Sequence, residues 1–121
     1  MPGAGATQTL PRAVGARRAK ELIMSGKPFS ADDALRWNMI NEVCEPAELM
    51  PRALATARLI CENAPIAVRQ AKKAIHYGQQ ADLVTGLAYE VQAYDRMIST
   101  QDRQEGINAF NEKRKPQFKG R

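Results

Sequence analysis

The chain has 121 residues, 44% hydrophobic and 26% charged, with 18 lysines and arginines against 13 acids, ordinary figures for one soluble globular domain that builds a core without metals or disulfides. Its apolar runs are far shorter than the ~20 residues a bilayer crossing needs, and no charged segment leads into an apolar stretch, so membrane-spanning and secreted classes fall away as expectations. Cys44 and Cys61 lie outside any CxxC spacing and are expected to be reduced, buried thiols in a cytoplasmic protein.

The opening, Met1-Pro2-Gly3-Ala4-Gly5-Ala6-Thr7-Gln8, is a glycine-rich loop with no strand before it and no GxGxxG or GKS/T ending, which excludes dinucleotide and P-loop readings. Residues 7–25 predict two helical pieces broken near Gly15, with Leu10 and Val14 on the first and Ala19, Leu22 and Ile23 on the second. Gly26 closes them. Ser30 then caps a short helix opened by Asp32 and Asp33 and stopped near Asn38, a residue that tolerates the left-handed conformation. Residues 39–44 alternate enough to predict one short strand.

Pro46 opens a long helix to about Asn63, whose Leu49, Ala53, Ala57, Ile60 and Cys61 form an apolar stripe. After Pro65 another helix runs to about Gly78, marked by Ile66, Val68, Ala71, Ala74 and Ile75. A third covers about 82–99, with Leu83, Leu87, Val91, Tyr94 and Ile98 expected inward. Thr100 caps a last helix of about 101–112, with Ile107 and Phe110 as its apolar positions. The basic tail follows. Residues 111–121 hold five cations against Glu112, most of the formal +5, and a solvated run is the expectation for it. A lone strand cannot satisfy its own backbone, so it either pairs with a sheet this chain lacks or is an extended connection, a hint that the chain is partial.

Chemistry-bearing constellations are sparse. His76 has no Cys, Asp or Glu at ligand spacing, so no metal site is expected; Ser25, Ser30 and Ser99 sit where helix ends explain them. Trp37, Tyr77, Tyr89 and Tyr94 do not interleave with the basic residues as stacking platforms require, so nucleic acid is not an expected partner.

Two stretches carry a resemblance. Pro2-Gly3-Ala4-Gly5-Ala6-Thr7-Gln8-Thr9-Leu10-Pro11-Arg12-Ala13-Val14-Gly15, followed by residues 19–23 and 31–34, resembles the PGAGGTQRLxRxVG segment of the crotonase family, the enoyl-CoA hydratases and isomerases. Residues 100–114, TQDRQEGINAFNEKR, resemble its closing TxDRxEGxxAFxEKR pattern. Ala6 and Asn38 depart from family glycines. Ala6 requires only that its backbone avoid positive φ, and Asn38 is the best substitute for a left-handed glycine.

The resemblance implies a mostly α chain, the C-terminal part of the ββα-spiral α/β fold. Residues 1–45 would form the last part of the spiral core. Residues 46–121 would be a helical oligomerisation segment with a basic tail, building a trimer or a dimer of trimers. It also implies a hydratase-like function in fatty-acid or branched acyl-CoA metabolism: one glutamate activates water, another delivers the α-proton, and two backbone donors hold the thioester enolate. Both glutamates and the oxyanion hole belong to the part preceding the PGAG turn, so this chain alone is expected to be inactive. By the same resemblance Gly3 matches the glycine whose N–H helps hold the catalytic water. Phe110 and Lys113 match positions near the acyl pocket and the CoA phosphates. No cofactor is implied beyond the CoA thioester substrate, and no membrane partner. The alternative is a non-catalytic helical module assembling with itself or with full-length relatives.

Overall fold

Glycines or short polar residues stand at the N-caps of five of the seven α-helices. The computed structural model describes residues 1–121. Its elements are α1 (Ala6–Val14), α2 (Ala16–Ser25), α3 (Ala31–Arg36), a 3-10 turn (Pro46–Glu48), α4 (Leu49–Cys61), α5 (Pro65–Gly78), α6 (Leu83–Ile98) and α7 (Gln101–Asn111). They fall into two units, Met1–Leu49 and Met50–Arg121.

In the first unit, Gly5 at φ 95° turns the chain into α1, and its carbonyl accepts from Gln8 N–H at 2.9 Å and Thr9 N–H at 3.0 Å. Ala6 is already helical, so the missing family glycine is harmless. Gly15 breaks the run and α1 packs on α2. Ser30 caps α3 through a reciprocal box: its hydroxyl accepts from Asp33 N–H at 3.0 Å, and the Asp33 carboxylate accepts from Ser30 N–H at 3.2 Å. The Ser30 hydroxyl, which also donates to Asp33 Oδ2 at 2.9 Å, then the Arg36 guanidinium and the Ser30 N–H, hold the Asp33 carboxyl below its usual pKa. Asn38 at φ 58° closes α3, donating to Leu35 O at 3.0 Å while Met39 N–H donates to Ala34 O at 2.9 Å. The Arg18 guanidinium lies 4.5 Å from the Trp37 ring centroid, and Phe29 packs on the same ring.

The strand expected over 39–44 does not form; the segment is bends and irregular backbone. Its alternation is genuine, but no second strand exists in the chain to complete a ladder.

In the second unit α5 and α6 make the main helix pair. Gly78 and Gly86 let the backbones approach: a Cβ on Gly86 would stand 3.5 Å from Gly78 Cα. Tyr77 and Tyr89 stack beside this crossing, centroids 5.8 Å apart. The face of α6 that packs is therefore its small-residue face, with Gly86, Ala93 and Met97 half-buried. The expected inward row, Leu83, Leu87, Val91, Tyr94 and Ile98, is exposed, because it lies one position round the helix from the glycine contact.

The stripe of α4 is exposed as well, from Leu49 through Ile60 to Cys61, since no other helix packs substantially on it. Cys61 is thus an exposed thiol and Cys44 a half-buried one, correcting the expectation that both are buried. On α5, Ile66, Val68 and Ala74 are half-buried, whereas Ala71 and Ile75 face outward. On α7 the buried residues are Asp102 and Ala109, not Ile107 and Phe110. The buried apolar residues of the chain are three alanines, Ala19, Ala34 and Ala109.

Candidate functional site

The cations of the basic tail are exposed, as expected of a solvated run, but the tail itself is not free. It folds back along α7 and is gripped by two carboxylates from the first turns of that helix. Thr100 caps α7, its hydroxyl accepting from Arg103 N–H at 3.2 Å, and this places Asp102 in the first turn. Asp102 is 3% exposed. Its carboxylate accepts from the backbone N–H groups of Lys119 and Gly120, each at 2.7 Å, while its own N–H donates to Arg121 O at 3.1 Å. Gly120 holds φ 75° against the Pro65 ring, a conformation and approach that suit glycine.

One turn on, Glu105 takes a two-pronged bond from Arg114, at 2.6 and 3.0 Å, and a third from Gln117 N–H at 2.8 Å. Arg114, then the Gln117 amide, pull the Glu105 carboxyl down to a pKa of about 2. The Arg114 guanidinium is shifted upward in return by Glu105 and by Glu112, whose carboxylate is 2.5 Å away. Phe118 lies over Gly106, 3.7 Å from where a Cβ would be. Lys115 pairs with Glu62 at 3.1 Å. Six residues of α7 and the tail, Asp102, Glu105, Gly106, Arg114, Phe118 and Gly120, therefore act together as a clasp.

The clasp frames two of the three residues singled out from the sequence. Arg114 N–H donates to Ala109 O at 3.0 Å and Lys113 N–H to Phe110 O at 3.2 Å, the paired bonds that end a helix through a left-handed residue. That residue is Lys113, at φ 54°. Glycine is the usual occupant, so a lysine backbone here is strained. Phe110 stands 85% exposed on the last turn of α7, one bonded turn before Lys113. Gly3 lies in the first unit, exposed, on the irregular segment before α1, with nothing within 4 Å of a Cβ placed on it.

Sequence reasoning missed the clasp. The spacing of Asp102 and Glu105 from the tail carries no local signal, because their partners lie 9 to 18 residues further along the chain. Elsewhere His76 approaches only Gln80, at 3.1 Å, and the edge of Tyr77. No three His, Cys, Asp or Glu side chains converge as a metal-binding group. No helix is long and apolar enough to cross a membrane.

Known proteins match this chain over its whole length. The family model described as enoyl-CoA hydratase/isomerase covers residues 1–121. The chain is 46% identical over 121 residues to the short-chain-enoyl-CoA hydratase of Clostridium acetobutylicum, spanning 99% of this chain and 46% of that protein. It is 45% identical over 124 residues to the mitochondrial methylglutaconyl-CoA hydratase of Mus musculus, covering 99% of this chain and 40% of that one. The crystal structure of an enoyl-CoA hydratase from Bacillus anthracis superposes with a TM-score of 0.98 at 50% identity, over 100% of this chain and 47% of that chain. The chain thus spans less than half the length of these relatives and corresponds to the C-terminal helical part of their fold. It belongs to the enoyl-CoA hydratase/isomerase, or crotonase, family.

Proposed function

We propose that this chain is the C-terminal part of an enoyl-CoA hydratase acting in fatty-acid or branched acyl-CoA metabolism, contributing substrate contacts and assembly surface to water addition across a 2-enoyl-CoA thioester. The observation carrying this reading is the likeness to hydratases over the whole chain, 46% identical to the Clostridium acetobutylicum enzyme. In this reading the exposed Gly3 N–H helps hold the catalytic water, and Phe110 borders the acyl pocket. Lys113 meets a CoA phosphate with a compact ammonium charge that no carboxylate pairs. The unpaired side chain and exposed ring support those roles.

The reading includes a trimer or a dimer of trimers built through residues 46–121, and a cytoplasmic location compatible with free cysteines at 44 and 61. Alone the chain is inactive, because the two glutamates of the family mechanism have no counterpart in residues 1–121. The test follows loss of enoyl-thioester absorbance from crotonyl-CoA with the purified chain. No turnover is expected; hydration abolished by a point substitution within these residues would overturn the reading.

The non-catalytic assembly module is the second reading, favoured by the exposed apolar rows of α4 and α6. Light scattering separates the two: discrete oligomers without CoA affinity support the module, and CoA affinity lost on Lys113→Ala supports the hydratase part.

A further inference from the structure

Three consecutive cations, Lys113, Arg114 and Lys115, stand against three carboxylates, Glu62, Glu105 and Glu112, yet the pairing among them is uneven. Lys115 takes Glu62 at 3.1 Å. Arg114 takes both of the others: Nη1 and Nη2 donate to Glu105 at 2.6 and 3.0 Å, and Nε donates to Glu112 at 2.5 Å. Its Nη1 also donates to Lys115 O at 3.3 Å, so the planar fork makes four bonds, a pattern that a three-donor ammonium has no geometry to copy. Asp102, the other carboxylate of α7, is committed to the amides of Lys119 and Gly120. Lys113 is the cation of the three that no carboxylate pairs.

The same arginine fixes the backbone. Its N–H donates to Ala109 O at 3.0 Å while its side chain reaches Glu105, one turn earlier on α7, so the residue that follows the left-handed Lys113 is clamped twice to one helix. An ordinary residue keeps a positive φ only where its surroundings impose it, and glycine would sit there without strain. A lysine held in a glycine's conformation, with Glu105 and Glu112 already engaged by its neighbour, is a side chain kept for its charge.

We infer that Arg114 is a positioning residue for Lys113: it draws Glu105 and Glu112 away from the Lys113 ammonium and fixes the turn, leaving that ammonium to a phosphate group of the substrate. Without Arg114, Glu112 is free to neutralise the lysine beside it. The partition of charge stands on the distances; only the choice of a CoA phosphate rests on the hydratase reading.

The test is a double-mutant cycle in residues 1–121, Arg114→Gln against Glu112→Gln, with CoA and inorganic pyrophosphate as probes and the side-chain NMR shift of Lys113 as readout at low salt. Glu112→Gln alone is expected to leave both affinities within about twofold, Arg114→Gln to weaken them about tenfold, and the double variant to regain about fivefold. If Arg114 merely adds one positive charge, Glu112→Gln strengthens binding equally in both backgrounds; if it merely holds the turn together, Glu112→Gln helps in neither. Either pattern overturns the inference, as does a Lys113 signal that moves with neither probe. Amide protection at Lys119 and Gly120, which Asp102 holds, reports that the rest of the tail stays docked. Where Arg114→Gln loses that protection, Arg114→Lys carries the same comparison: it keeps the charge without the fork and is expected to lose about threefold, restored by Glu112→Gln. Coupling seen with pyrophosphate but not with CoA leaves the positioning role standing and counts against the hydratase reading.

Discussion

The guanidinium of Arg114 grips the carboxylate of Glu105 through two parallel bonds, 2.6 and 3.0 Å, and thereby fixes the turn containing Lys113. The pair is nine residues apart and closes the basic tail onto α7. A tail that looks like free charge is, for Arg114 and Lys115, paired charge.

The pH dependence of the clasp follows from Glu105. Its pKa falls from an ordinary 4.5 to about 2 on folding, so its contribution to stability is complete above the unfolded value and is lost as pH drops through the folded one. Tail docking is therefore expected to weaken between about pH 4.5 and pH 2 and to be indifferent to pH from 5 to 8. Amide exchange at Gln117, whose N–H bonds to the same carboxylate, reads this directly. Glu105→Gln is expected to speed that exchange at neutral pH; an unchanged rate would refute the assignment.

Asp102 makes a separate prediction. Replacing it with alanine orphans the N–H groups of Lys119 and Gly120 and should cost about 2–3 kcal/mol, read as a lower urea midpoint with a largely unchanged m-value. Asp102→Asn keeps one acceptor and should lose roughly half as much. Equal losses for the two variants would show that burial, not the paired acceptors, decides the cost.

How much of this was legible in the sequence divides by the range of the interaction. Helix limits were readable because Gly15, Gly26, Ser30, Asp82 and Thr100 set them within a few residues. The left-handed Asn38 was readable for the same reason. Burial was not, since a row such as Leu83, Leu87, Val91 announces an apolar face but not whether this chain supplies its cover. The α5–α6 contact runs instead through Gly78 and Gly86, residues with no hydropathy signal. Of the site, Phe110 and Lys113 came from resemblance, and the carboxylate clamps behind them required seeing the tail reverse.

That glycine contact yields a graded prediction. A Cβ at Gly86 stands at ordinary contact distance from Gly78, 3.5 Å, so Gly86→Ala should be neutral or stabilising by about 0.5–1 kcal/mol through helix propensity. Gly86→Leu must push α5 from α6 and should cost about 1–3 kcal/mol. Thermal unfolding of both variants checks it; an alanine as damaging as leucine would mean the helices meet more tightly than described.

Lys113 sets stability against binding. A left-handed backbone costs an ordinary residue about 1–2 kcal/mol, and glycine escapes most of that. Lys113→Gly should therefore raise the unfolding midpoint by a few degrees. If the ammonium meets a CoA phosphate, the same substitution should weaken CoA binding several-fold and flatten its salt dependence, because one phosphate contact is removed. Lys113→Asn separates the effects, since asparagine tolerates the left-handed turn but brings no charge: it should keep most of the added stability and still lose affinity. Calorimetric titration of CoA at two salt concentrations, alongside thermal melts, decides the matter. A glycine variant that gains stability with unaltered affinity would assign Lys113 to the turn alone.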